Sequence, residues 1–207
     1  VRRAAAYALG QTGDSTAVDS LRVRVLEEKD GQVRRYVHEA LGRTVTRRSL
    51  PELWRVETLT DTARAAALAW GLSRAALRGL VSPESIRRTV AVLNSPKLPN
   101  RGRLVAVVGL SRIRGLDDDL ARLAETTLLR VAAKDRSYAV RAAAVTTLGR
   151  IAITSPSATS VPVPSAASTT PATKTTTGAA ALLARLATKD PDYRVRLSAI
   201  RALPFGP

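Results

Sequence analysis

A short pattern recurs along the chain in one register, and this repetition constrains the fold more than any single residue does. The pattern is Val-Arg, then six residues, then Leu followed by Gly or Pro. Clear copies begin at Val1, Val33, Val140 and Val195, and weaker copies begin at Thr62 and Asn100. Self-similarity with a spacing of about 30–40 residues indicates an array of small structural repeats.

Each copy predicts an amphipathic helix, which we name helix B of its unit. In the second copy, Val33, Val37 and Leu41 fall on one helical face. The glycine that follows the leucine is predicted to end the helix. Each unit is therefore predicted to be a helix hairpin whose apolar face is covered by its neighbours.

A second amphipathic segment, helix A, precedes several of the copies. These segments are predicted within 14–30, 82–95, 116–135 and 179–190. The buried stripe of the first helix A is predicted to consist of Val18, Leu21, Val25 and Leu26.

The fullest copies place an acidic residue six positions before the arginine, as in D-x-x-x-x-V-R-x-x-A-x-x-A-L-G. This pattern resembles HEAT repeats, most closely the short HEAT-like type of phycobilisome lyases, over 1–14, 27–43, 134–150 and 189–203. The resemblance implies an all-α fold, a right-handed α-solenoid of stacked helix hairpins. It also implies a ladder of ion pairs between stacked units, formed by Glu28, Arg34, Asp135, Arg141, Asp190 and Arg196.

One segment does not repeat. Residues 154–178 contain four prolines, a single charge and no periodicity, and they are predicted to form a disordered Ser/Thr/Pro/Ala-rich loop. The predicted organisation is HEAT-like repeats over 1–153, irregular near 50–100, then this loop, then a further repeat over 179–207. Because Val1 already lies in a helix B, the chain is expected to be a fragment of a longer solenoid.

The chain carries a formal net charge of +16, which favours an anionic partner. A GC-rich genome is an alternative explanation for the excess of arginine over lysine. Several arginines have no acidic residue nearby in the repeat register, and on B helices they would line a groove. This predicted basic surface consists of Arg3, Arg35, Arg87, Arg88, Arg103, Arg112 and Arg114.

The residues that usually carry catalysis are sparse. There is no cysteine, and the single histidine, His38, falls off the apolar stripe and is predicted to be exposed or at the rim. Asp117, Asp118 and Asp119 precede a predicted helix, where they complement its N-terminus rather than bind a metal. Trp54 is predicted on a helix A and Trp70 in the core. The sequence predicts no catalytic residue, metal or cofactor, and no membrane span or signal peptide.

Three functions remain open at this point. The leading hypothesis is a non-catalytic scaffold for protein–protein interaction whose partner has an acidic surface. The alternative is the helical accessory region of a larger bacterial peptidyl-prolyl isomerase, because similar arrays precede cyclophilin-type domains in some envelope proteins. The third is phosphate-driven binding of nucleic acid. A bacterial source is expected, with the cytoplasm and the periplasm equally open.

Overall fold

The computed structural model describes residues 1–55, 61–95, 97–114, 116–154 and 174–203. These residues form α-helices and two 3₁₀ turns, and they contain no β-strand. The helices are α1 (Arg2–Thr12), α2 (Val18–Glu27), α3 (Gly31–Thr44), α4 (Thr62–Leu77), α5 (Pro83–Asn94), α6 (Asn100–Leu110), α7 (Asp118–Lys134), α8 (Tyr138–Thr154), α9 (Lys174–Lys189) and α10 (Tyr193–Ala202). Within the described residues the fold is all-α, as predicted, and the helices of each compact unit pack in a solenoid-like way.

The chain divides into two compact units, Val1–Ala124 and Glu125–Pro207, with the boundary inside α7. In the N-terminal unit, the B helices α1, α3, α4 and α6 pack side by side in chain order. Helix α2 packs on α3, and α5 packs on α4 and α6. In the C-terminal unit, α10 packs on both α8 and α9. Every repeat copy therefore lies on a helix B that begins within two residues of its anchor.

Acidic residues fix where the B helices begin. The Asp30 side chain accepts hydrogen bonds from two backbone N–H groups of the first turn of α3, at 2.8 and 3.0 Å. Asp61 caps α4 in the same way, and Asp192 caps α10 through one N–H group. Such caps satisfy N–H groups that have no partner within the helix.

The helix A predictions hold for α2, α5, α7 and α9, with two differences in detail. Leu26 is 43% exposed, because it lies one position, or about 100°, beyond Val25 on α2. Trp54 does not lie on an α-helix. It follows a 3₁₀ turn, Leu50–Leu53, which packs on α3 and α4 and buries both of its leucines.

The glycine of the repeated pattern lies inside helix B, so the prediction that it ends the helix was wrong. Its role is to let successive B helices approach closely. A Cβ on Gly10 would lie 2.8 Å from the Cα of Ala40, and a Cβ on Gly42 would overlap the backbone of Gly71. In the C-terminal unit, a Cβ on Gly149 would lie 2.9 Å from the Cβ of Ala202.

The predicted loop falls largely outside the described residues. Helix α8 ends at Thr154 and α9 begins at Lys174, so helix extends into both ends of the 154–178 segment. Residues 155–173 lie outside the described part, and their disorder stays a prediction, as does the division at 153 and 179. None of the described helices combines the length and the apolarity that crossing a membrane requires.

Replacing Gly42 by alanine is expected to destabilise the N-terminal unit, because the new Cβ meets backbone atoms of Gly71 that cannot move aside alone. We expect the free energy of unfolding to fall by about 1–3 kcal/mol, as in overpacked cores. Denaturant unfolding followed by circular dichroism measures this change.

Gly31→Ala is the matched control in the same helix, since its Cβ would make an ordinary 3.7 Å contact with Ala63. This variant should be neutral or stabilised by less than about 1 kcal/mol. Equal unfolding free energies for the two variants would contradict close packing at Gly42.

Candidate functional site

The arginine of each full pattern binds the loop that leads into its own helix. Arg34 donates to the main-chain oxygen of Glu28 through Nε, at 2.9 Å, and through Nη2. The corresponding distances are 2.9 Å from Arg141 Nη1 to Asp135 O and 2.8 Å from Arg196 Nη1 to Asp190 O. The residue pairs six positions apart are thus in contact, but through the main-chain carbonyl rather than the carboxylate.

The carboxylates contact the arginine of the preceding repeat instead. Arg141 donates two hydrogen bonds to Asp190, from Nε at 2.9 Å and from Nη2 at 2.8 Å. Arg2 Nε lies 3.2 Å from Glu28 Oε2. Arg34 Nη1 lies 3.8 Å from Asp61, the residue that caps α4. Arg34 and Arg141 therefore each join their own loop to an acidic residue of the next repeat.

These contacts favour the ionised carboxylates. The hydrogen bond from Arg24 and the backbone N–H of Asp30 lower the pKa of Glu28 to about 2. Burial opposes ionisation of Asp190, but the hydrogen bonds from Arg141 and the Asp192 N–H outweigh it, and the pKa of Asp190 lies below its ordinary value. The hydrogen bonds to Asp190 in turn raise the pKa of Arg141.

The predicted basic surface does not form a single groove. Arg103 is buried, and it donates to the carbonyl of Leu98 and to Asn100 Oδ1, at 2.7 Å for the latter. Its inclusion in an exposed surface was wrong. Arg103, and not Arg101 of the weak copy at Asn100, binds a loop carbonyl here, and that carbonyl lies five positions before it rather than six.

The other predicted arginines lie in separate places. Arg87 and Arg88 are on α5, a helix A, within 4.0 and 2.6 Å of Glu84. Arg112 and Arg114 are exposed beside a cleft of about 300 Å³ near the start of α5. Arg3 and Arg35, which come from two different helices, lie over one aromatic ring.

Arg3 and Arg35 belong to a surface that spans α1, α3 and α4. Arg3 and Arg35 lie over the Tyr36 ring, with guanidinium carbons 5.7 and 4.6 Å from its centre. Arg35 also lies 5.0 Å from the centre of the Trp70 ring, and Arg74 lies 5.8 Å from it. We name this surface the arginine–aromatic face, and it consists of Arg3, Tyr7, Arg35, Tyr36, Trp70 and Arg74.

Glu39 braces the arginine–aromatic face from within. This buried carboxylate accepts hydrogen bonds from Arg43 Nη2 at 2.8 Å and from Arg74 Nε at 2.9 Å, and Arg74 Nη2 lies 2.6 Å from its Oε1. Arg43 also donates to Gln11 Oε1 on α1, at 2.6 Å. Side chains of three successive B helices are thereby linked.

Charge on the arginine–aromatic face is unevenly balanced. Arg74 is paired with Glu39, whereas Arg3 and Arg35 have no carboxylate partner among the described residues. The aromatic rings attract these two guanidiniums through cation–π interactions. Such contacts are more frequent on this face than the usual one per about 70–80 residues. The face therefore presents positive charge that the described part of the chain does not neutralise.

Sequence reasoning missed the aromatic half of this face. Trp70 was predicted in the core, but it is half-buried and the guanidiniums of Arg35 and Arg74 lie over its ring. Tyr7 is 49% exposed and packs edge-on against Tyr36, with ring centres 6.4 Å apart. The available signal was i, i+4 spacing, since Arg3 precedes Tyr7 and Trp70 precedes Arg74 by one helical turn.

The remaining candidate residues have structural surroundings. His38 is fully buried and its Nδ1 lies 3.2 Å from the Arg34 carbonyl, so the expectation of an exposed histidine was wrong. Asp117 accepts a hydrogen bond from the Leu120 N–H at the start of α7, at 2.8 Å. Within the described ranges, no cluster of three or more His, Asp or Glu residues is arranged to hold a metal.

The C-terminal unit contains a smaller group of the same kind. Arg194 lies 3.6 Å from the centre of the Tyr138 ring and donates to its hydroxyl at 2.9 Å. Tyr138 and Tyr193 occupy the same position of their repeats, two residues before Val-Arg. This contact joins α8 to α10.

Comparison with known families agrees with this architecture. Residues 1–73 match the family model of HEAT repeats. The matched region includes α1 to α3, most of α4, and all of the arginine–aromatic face except Arg74. No curated protein matches the chain. Residues 1–73 are thus similar to HEAT repeats, a class that generally mediates protein–protein interaction and is typically non-catalytic.

Asp190→Asn is expected to destabilise the C-terminal unit, because it leaves the charge of Arg141 without its partner. The two side chains are 3% and 12% exposed, so little solvent replaces the lost contact. We expect the free energy of unfolding to fall by about 2–4 kcal/mol. Asp119→Asn removes a carboxylate of an exposed pair and should cost less than about 1 kcal/mol. Equal losses would show that burial of the pair is unimportant.

Acid should destabilise the chain partly through Glu28. Its pKa of about 2 in the folded chain lies below the ordinary 4.5, so its contribution is present above about pH 4.5 and is lost as the pH falls towards 2. Glu28→Gln should therefore show a shallower fall of the unfolding free energy between pH 5 and 2, as measured by denaturant titration. Glu27→Gln, at the exposed neighbour, should keep the wild-type slope. The same slope in all three proteins would exclude a role for Glu28.

Proposed function

We propose that this chain acts as a non-catalytic scaffold that binds a partner protein through the arginine–aromatic face. The observation that carries the proposal is the interleaving of arginine and aromatic side chains across α1, α3 and α4. Arginine, tyrosine and tryptophan are the residues most enriched at the energetic centres of protein interfaces.

The arginine–aromatic face is organised before any partner arrives. Close packing at Gly42 and Gly71 sets the spacing of α3 and α4, and Glu39 fixes Arg43 and Arg74. Side chains that are already ordered lose less conformational entropy on binding. A rigid face of this kind supports selective binding.

The charge of the chain supports an acidic partner surface. A formal net charge of +16 accelerates encounter with an anionic protein, and this attraction weakens with salt. Arg3 and Arg35, which have no carboxylate partner among the described residues, then contribute attractive charge directly at the interface.

Capture of proteins from an extract of the source organism tests the proposal. The face variant is Tyr7→Ala with Arg35→Ala, and the matched control is Val23→Ala with Arg87→Ala on α2 and α5. Both double variants remove one arginine and one exposed side chain. We expect a protein that wild type and control retain and that the face variant loses by about tenfold or more. If every retained protein is held equally by both variants, the face is not the binding surface.

A further inference from the structure

We infer that the arginine–aromatic face binds an extended acidic peptide segment of the partner, with Arg3 and Arg35 each holding one carboxylate. The inference rests on the proposed scaffold function and specifies the chemistry of the partner. It follows from how the two guanidiniums are held, from the ring that they share, and from what already covers the aromatic rings.

Arg35 is oriented by rings rather than by an acid. Its guanidinium lies 4.6 Å from the centre of Tyr36 and 5.0 Å from the centre of Trp70. Its Nε is buried and has no hydrogen-bond partner in the described residues. A guanidinium stacked on rings keeps its outer N–H donors in plane, where a carboxylate accepts them in pairs.

Arg3 provides the second carboxylate site on the same ring. Arg3 and Arg35 lie over the same Tyr36 ring, at 5.7 and 4.6 Å. Alternate residues of an extended peptide point to one side and are about 6.5–7 Å apart. Both guanidinium carbons lie within about 6 Å of one ring centre, so the side chains of acidic residues two positions apart in an extended segment can reach both.

The rings of this face are poorly placed to stack nucleic-acid bases. Arg3 and Arg35 lie over Tyr36, and Arg35 and Arg74 lie over Trp70. Single-strand binding surfaces depend on open ring faces for base stacking. The buried carboxylate of Glu39 also pairs with Arg43 and Arg74, so these two cations are not free to bind phosphates. These contacts favour carboxylates over a nucleic-acid backbone.

Fluorescence anisotropy with a short fluorescein-labelled peptide of alternating glutamate and serine tests the inference at low and moderate salt. Arg3→Ala with Arg35→Ala should weaken binding by more than about tenfold, since two charged hydrogen-bonding sites are lost. The control, Arg55→Ala with Arg87→Ala, removes the same charge from exposed positions and should cost less than about threefold. Arg35→Lys should also weaken binding although it keeps the charge, because an ammonium group neither stacks on rings nor binds a carboxylate through two parallel hydrogen bonds.

Three results would overturn the inference. Equal loss in both double variants would mean attraction by net charge alone, and absence of binding at low salt would exclude a carboxylate site. Tighter binding of a single-stranded oligothymidylate that depends on Arg3 and Arg35 would assign the face to nucleic acid. Helical circular dichroism of each variant shows that folding is intact.

The scaffold proposal stands or falls separately. A partner retained through the face in the capture experiment, together with no specific peptide binding, would remove only the acidic-segment inference. Specific peptide binding with no face-dependent protein in the extract would instead remove the scaffold role.

Discussion

Close approach of successive B helices is the constraint on which the N-terminal unit depends. At Gly10 and Gly42, a single added carbon would collide with the next helix. Because these backbones meet, side chains from one helix reach rings and carboxylates of the next. Arg74 on α4 could not bind Glu39 on α3 at a wider spacing. The arginine–aromatic face therefore depends on the glycine of the repeated pattern, because this glycine lets the helices approach closely.

A second set of contacts joins the repeats through the loops. Arg34 and Arg141 each bind a main-chain carbonyl of their own loop, and their charge meets an acidic residue of the next repeat. Arg141 shows both contacts, with Asp135 O and with the Asp190 carboxylate. The six-residue spacing thus sets the local contact, and the repeat period sets the contact between neighbours. One side chain serves folding at both scales.

The repeat register predicted the B helices well because their apolar positions recur with helical spacing. It could not predict contacts that depend on two helices at once. His38 was placed at the rim because it leaves the stripe of α3, yet neighbouring elements bury it fully. Arg103 was misassigned because the weak copy lacked the valine that defines the register. The rings of Tyr36 and Trp70 contact the same arginine, Arg35, only because α3 and α4 pack side by side. Sequence spacing does not show this packing.

Glu39 has a consequence for how such a surface changes over evolution. It accepts hydrogen bonds from arginines of two successive repeats, Arg43 and Arg74. One nucleotide change at this codon would release two cations together, and the face would pass from a braced array to a set of mobile charges. On the proposed binding role, a substitution at Glu39 would therefore change both the order of the face and the charge that it presents to a partner.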